Sequence, residues 1–229
     1  MLPADLFTAE AEALLALRQA LASTPAGRWT VEFRFEGLRL LPLVLRLNQA
    51  LAAAGLEPRL LFADMGATAL ARRDAGEAAT TIASYGDQER LQAESPSEGL
   101  LLLAGASQAE YEQVERICAA HRGQVVLLNP NLEDATVGIG SVARQRRRGF
   151  LAQWQAAYAL LPQSASALRR AWPGDWQLYR LDADGYRFVT SFERKPDSEQ
   201  RDQALSGGEG QSLGSNLKAL GDLIEGLQN

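Results

Sequence analysis

The sequence predicts an α/β fold: a central, mostly parallel sheet with flanking helices and a C-terminal antiparallel hairpin. Three observations carry that expectation. Short apolar runs alternate with segments of helical periodicity along most of the chain. The runs Leu100–Ala104 and Val125–Leu128 are apolar throughout, as in strands buried on both faces. Trp176–Leu181 and Tyr186–Phe192 flank Asp182-Ala183-Asp184-Gly185, a glycine-containing turn between antiparallel strands. The resulting arrangement is Rossmann-like.

Taken in order, Ala4 to Leu21 places Leu6, Ala9, Ala13, Leu14, Leu17 and Leu21 at helical spacing, and Pro25 and Gly27 end that helix. Trp29 to Phe35 alternates with period two: Trp29, Val31, Phe33 and Phe35 share one face, and Glu32 and Arg34 the other. Leu40 to Ala54 reads as a second helix closed by Gly55, followed by the short strand Arg59–Ala63. Asp64 caps a helix from Met65 to Arg73. Thr80–Ser84 reads as a strand and Gln88–Gly99 as a polar surface loop. Ser107-Gln108-Ala109-Glu110 is a capping box that opens a helix to His121. An arginine-bearing helix is expected from about Ser141 to about Gln155, and Ala156–Leu161 reads as a strand before Pro162. Residues 1–196 form one domain in this reading. Residues 197–229 form an extension: a linker, Ser206-Gly207-Gly208-Glu209-Gly210, then an apolar stripe of Leu213, Leu217, Leu220, Ile224 and Leu227. Gly221 and Gly226 make that helix marginal alone, so it needs a surface to dock on.

The chain has 229 residues, 46% of them hydrophobic, enough for a sizeable core. Its net charge of −5 argues against general nucleic-acid binding, which favours a basic domain. Cys118 is the single cysteine, which fits a reducing compartment. No apolar run approaches the roughly 20 residues of a membrane-spanning helix. The opening Met1-Leu2-Pro3-Ala4-Asp5 lacks the basic region of a signal peptide, so a cytoplasmic chain, or a mature form, is expected.

The most informative stretch is Val137-Gly138-Ile139-Gly140-Ser141, followed by Arg144, Arg146, Arg147 and Arg148. It comes after an apolar strand and the turn Asn129-Pro130. Glycines at a helix start let backbone N–H groups approach an anion, and the arginines concentrate positive charge beside them. Neither GxxxxGK[ST] nor GxGxxG spacing is present, so no nucleotide is named. The plain alternative is a tight loop followed by a solvated helix. Asp64 and Asn129 lie at strand carboxyl ends, where open α/β sheets bind ligands, and complete the candidate binding set. Their plain readings are a helix cap and a turn former. His121 is the only histidine and no cysteine cluster accompanies it, so no metal centre is expected; no cofactor is expected either. Trp172-Pro173-Gly174-Asp175-Trp176 reads as a corner packed on the sheet, with a partner-binding corner as the alternative.

Several motifs in order resemble a known family. They are Trp29–Phe35 with Glu32; Leu38-Arg39-Leu40-Leu41-Pro42; Asp64-Met65-Gly66-Ala67-Thr68 through Asp74; Leu127-Leu128-Asn129-Pro130-Asn131-Leu132-Glu133-Asp134; Val137-Gly138-Ile139-Gly140; and Trp172-Pro173-Gly174-Asp175-Trp176. From Ala4 to Pro196 the chain is similar to an uncharacterised domain family of cyanobacteria and plastids. That family includes the "low photosystem II accumulation" assembly factors and an extra C-terminal domain on a plastid adenylate kinase. The resemblance implies a protein near thylakoid membranes, peripheral to them. It would act in biogenesis of the photosynthetic apparatus by binding a photosystem subunit or another assembly factor. It supplies no catalytic residues. The competing expectation is a sensor or enzyme holding an anionic small molecule, a phosphate or nucleotide, at Gly138–Ser141.

Overall fold

The structure is a computed structural model and describes residues 1–132 and 149–207. A nine-stranded sheet forms the centre of the described residues, in the order β3-β2-β4-β5-β1-β6-β7-β8-β9. The strands are β1 (Arg28–Phe33), β2 (Pro58–Phe62), β3 (Ile82–Ser84), β4 (Leu100–Ala104), β5 (Gln124–Leu128), β6 (Gln155–Pro162), β7 (Ser166–Ala171), β8 (Trp176–Asp182) and β9 (Gly185–Phe192). Strands β3 to β6 pair in parallel, while β6 to β9 pair antiparallel. The helices are α1 (Leu6–Ser23), α2 (Leu40–Ala53), α3 (Met65–Asp74), α4 (Tyr85–Glu94) and α5 (Tyr111–Ala119), with a further helix over 198–207. The predicted α/β class is therefore observed.

Alternation along each strand divides the core. On one face, Trp29, Val31, Phe33, Leu60, Phe62, Leu102 and Val126 pack beneath α1, α2 and α3. On the other, Leu61, Leu101, Leu103, Val125 and Leu127 pack against Tyr85, Tyr111, Val114 and Ile117 of α4 and α5. Further along that second face, Leu161, Leu168, Trp176 and Leu178 meet Ala204 and Leu205 of the 198–207 helix. A polar clamp ties α1 to the antiparallel strands: Arg169 donates to Glu12 at 3.0 Å and to Gln177 at 2.8 Å, and the Tyr158 hydroxyl donates to Glu12 at 3.3 Å.

Three details differ from the sequence reading. The sequence predicts a loop over the polar stretch Gln88–Gly99, but α4 runs from Tyr85 to Glu94, started by a reciprocal cap between Ser84 and Asp87. Its interior is polar because Gln88 is buried toward Ser97 rather than into an apolar core. The expected helix to Gln155 gives way over its described end to a 3-10 turn, Phe150–Gln153, and then β6, because Phe150 anchors edge-on against Tyr111 and Trp154. The sequence does not predict strand β7, because Arg169 and Arg170 mask its alternation, yet both guanidinium groups are held. Ala204 and Leu205 of the 198–207 helix also pack on the sheet.

The amino ends of the parallel strands are tightly joined. Arg28 donates to the carbonyls of Cys118, His121 and Gly123, satisfying the end of α5 with a cation. Gly123 leaves no space there: a Cβ would lie 2.1 Å from the Gly99 carbonyl oxygen and 2.6 Å from its nitrogen. Gly123→Ala is expected to destabilise the protein by about 3 kcal/mol, read as a lowered urea midpoint, because backbone rather than a movable side chain must yield.

Candidate functional site

In this topology the connections from β2 and β4 leave in opposite directions, so the crevice between their carboxyl ends is the usual ligand position of an open α/β sheet. Its polar side chains are already engaged. Asp64 Oδ1 accepts the Ala67 N–H at 2.7 Å and caps α3. Ser107 forms a cap with Glu110, whose carboxylate accepts the Ser107 N–H at 2.9 Å and its hydroxyl at 2.6 Å. Gly105 turns with φ +64°, and Leu40 Cδ2 lies 3.1 Å from where its Cβ would stand. The crevice is thus closed by caps and by α2.

Asn129 is likewise committed. Its backbone turns into the left-handed region, φ 50°, at the end of β5. Its side-chain amide then replaces the lost ladder: Oδ1 accepts the Phe33 N–H at 2.7 Å, and Nδ2 donates to the Phe33 carbonyl at 2.8 Å. Gly138, Gly140, Ser141, Arg144, Arg146, Arg147 and Arg148 lie outside the described residues.

A cleft opens instead on the second face of the sheet, over β1, β6 and β7. Its floor is the polar side of β1: Thr30, Glu32 and Arg34. Arg34 reaches Glu32 at 3.3 Å and also donates to the Pro130 carbonyl. The walls are aromatic. Trp154 stands on one side, with its indole N–H buried and unpartnered among the described residues, and Trp176 on the other. Arg170 lies 5.7 Å from the Trp172 ring centroid and 5.8 Å from that of Trp176, while Lys195 lies 5.8 Å from Trp176. Burial holds the Arg170 guanidinium below its usual pKa. It donates to the carbonyls of Ala156 and Glu193, so it also pins the chain that leaves β9. Arg194 and Arg201 add cations to the lining, against the acids Glu193 and Asp197.

The Trp172–Trp176 corner is therefore packed rather than free. Trp172 meets Trp29 edge-on at 4.9 Å, and Trp176 is only 4% exposed. Sequence alternation already set Glu32 and Arg34 on one face. It gave no signal for Arg170 or Lys195, because β7 and the strand pairing that gathers them were not legible.

Leu132 and Leu151, which precede and follow the arginine-rich stretch in the sequence, both line this cleft. Of the ordered motifs, Glu32 lies on the floor of this cleft and Trp176 on its wall. The chain belongs to the family described as domain of unknown function DUF1995, matched over residues 3–203. That match covers the whole sheet and most of the 198–207 helix. No curated protein matches this DUF1995 chain.

His121 sits at the opposite, amino end of the strands. It is 3% exposed. Ser97 Oγ accepts from Gln88 at 3.1 Å and from Gln92 at 2.8 Å, so its own proton points to His121 Nδ1, 2.7 Å away. His121 Nε2 then carries the ring proton toward the Gly99 carbonyl at 3.2 Å. A second ring proton at Nδ1 would face the Ser97 hydroxyl proton. Burial lowers the His121 pKa, and the Gly99 contact opposes that only in part. Nearby Cys118 is buried, and desolvation pushes its thiol up to about 12, a packing role rather than a reactive one.

Among the described residues no group of three or more His, Cys, Asp or Glu is placed to hold a metal ion. No helix among them is long and apolar enough to cross a membrane.

Two outcomes are expected here. The neutral His121 of the folded state loses out below about pH 6.5, where the unfolded chain takes up the proton first, with a slope of up to about 1.4 kcal/mol per pH unit. Urea midpoints should fall from pH 7 to 5, and His121→Gln, less stable at pH 7, should show a shallower fall. Asn129→Ala should cost about 2 kcal/mol by equilibrium unfolding, since it leaves two Phe33 backbone groups unpaired, while Asn129→Gly, which keeps the turn, should cost less.

Proposed function

We propose that this DUF1995 chain is a non-enzymatic factor in the assembly or maintenance of photosystem II, working at the periphery of the thylakoid membrane by binding an acidic segment of a photosystem subunit or another assembly factor. The family resemblance supports the process. The cleft supports the mode of action. Its cations suit an acidic partner, and the tryptophans beside them hold Arg170 and Lys195 in place. The observation that carries the reading is the set of cations in the cleft lining, Arg34, Arg170, Arg194, Lys195 and Arg201; the sequence adds Arg144, Arg146, Arg147 and Arg148 in the stretch between Leu132 and Leu151. The polar side chains at the strand ends are engaged in caps, which favours a surface reader over a chemist of small substrates.

The test is binding of the full chain to isolated photosystem II subunits at two ionic strengths. Affinity is expected to fall as salt rises, and Arg144→Glu combined with Arg147→Glu and Arg148→Glu is expected to weaken it at least tenfold. Unchanged affinity removes the arginines from the account. A parallel thermal-shift panel of nucleotides and sugar phosphates is expected to be flat. A ligand that stabilises by about 2.7 kcal/mol at a hundred times its dissociation constant would establish the small-anion reading instead.

A further inference from the structure

The hairpin β8–β9 is covered on one side only. On the second face, Trp176, Leu178, Val189 and Phe192 lie beneath Ala204 and Leu205. On the first face, α1 packs over β6 and β7. Left uncovered there are Leu181, Tyr186 and Phe188, exposed by 43%, 41% and 53%. They form one surface: Leu181 pairs with Tyr186, and Tyr179 pairs with Phe188 and meets its ring at 5.8 Å. The neighbouring cation Arg187 is already held by Asp182 and Asp184, each at 3.2 Å, so the patch is apolar and neutral. A three-layer α/β fold lacks one helix at this position.

We infer that the C-terminal segment of this same chain, from Leu213 to Leu227, docks on that face as the missing helix. Its apolar residues Leu213, Leu217, Leu220, Ile224 and Leu227 fall on one helical stripe, with Asp222 opposite. The stripe spans about 21 Å as a helix, within the roughly 26 Å of the eight-residue β9. The described chain ends at Gly207, two residues past Leu205, on the other side of the same hairpin. Six residues from there to Leu213 reach about 20 Å, enough to pass around the sheet's edge strand β9. The helix is marginal alone and the patch is open, so each supplies what the other lacks.

The experiment is disulfide trapping in the full chain at low protein concentration. Phe188→Cys is combined in turn with Leu217→Cys, Leu220→Cys, Ile224→Cys or Asp222→Cys. Cys118 stays silent because it is buried with a raised pKa. Intramolecular bridges are expected at least tenfold faster from the stripe positions than from Asp222→Cys. Equal rates at every position mean a free tail, covalent dimers mean a second copy on the patch, and no bridge means neither; each overturns the inference. In the unsubstituted chain, amides from Leu213 to Leu227 are expected to exchange at least a hundredfold slower than in a free peptide. Free-peptide rates overturn the inference without any substitution.

Discussion

Strand β1 sits between β5 and β6, and its two faces have opposite chemistry. Trp29, Val31 and Phe33 are buried under the first helical layer. Thr30, Glu32 and Arg34 face the other way, into the centre of the sheet's second side. An apolar helix laid over Glu32 and Arg34 would have to desolvate both charges, at several kcal/mol per ion. The second layer is therefore split. Tyr111 and Phe150 pack on one side of β1, Ala204 and Leu205 on the other, and a polar-floored cleft lies between them.

The ends of the strands take different roles. At the carboxyl ends, Asp64, Ser84 and Ser107 cap helices, and Asn129 extends the ladder beside Phe33. At the amino ends, Arg28, His121 and Ser97 join α5 to the sheet through hydrogen bonds. These groups stabilise the frame. Tryptophans and cations gather instead where the antiparallel strands and the chain after β9 fold over the second face. Arg170 does both jobs: it pins that returning chain and stands among the tryptophans.

Much of this frame was legible in the sequence because burial in a sheet follows simple periods. Leu100–Ala104 could only be a strand covered on both faces, and Asp64 and Ser107 marked helix starts. The failures share a physical cause. Helix α4 is held by a cap and by Gln88 reaching Ser97, not by an apolar stripe, so periodicity missed it. Strand β7 carries two arginines whose partners, Glu12 and Ala156, are distant in sequence. The floor of the cleft was visible as the Glu32–Arg34 face; its walls depended on those unseen pairings.

The most direct measurement is a hydrogen-exchange footprint of the full chain on an isolated photosystem II subunit. Bound partner should protect amides around Trp154–Ala156 and Glu193–Asp197, on the rim of the cleft, and leave α1 and α3 unchanged. Protection confined to the α1–α3 side, with the rim exchanging as in the free chain, would contradict the cleft as the binding surface.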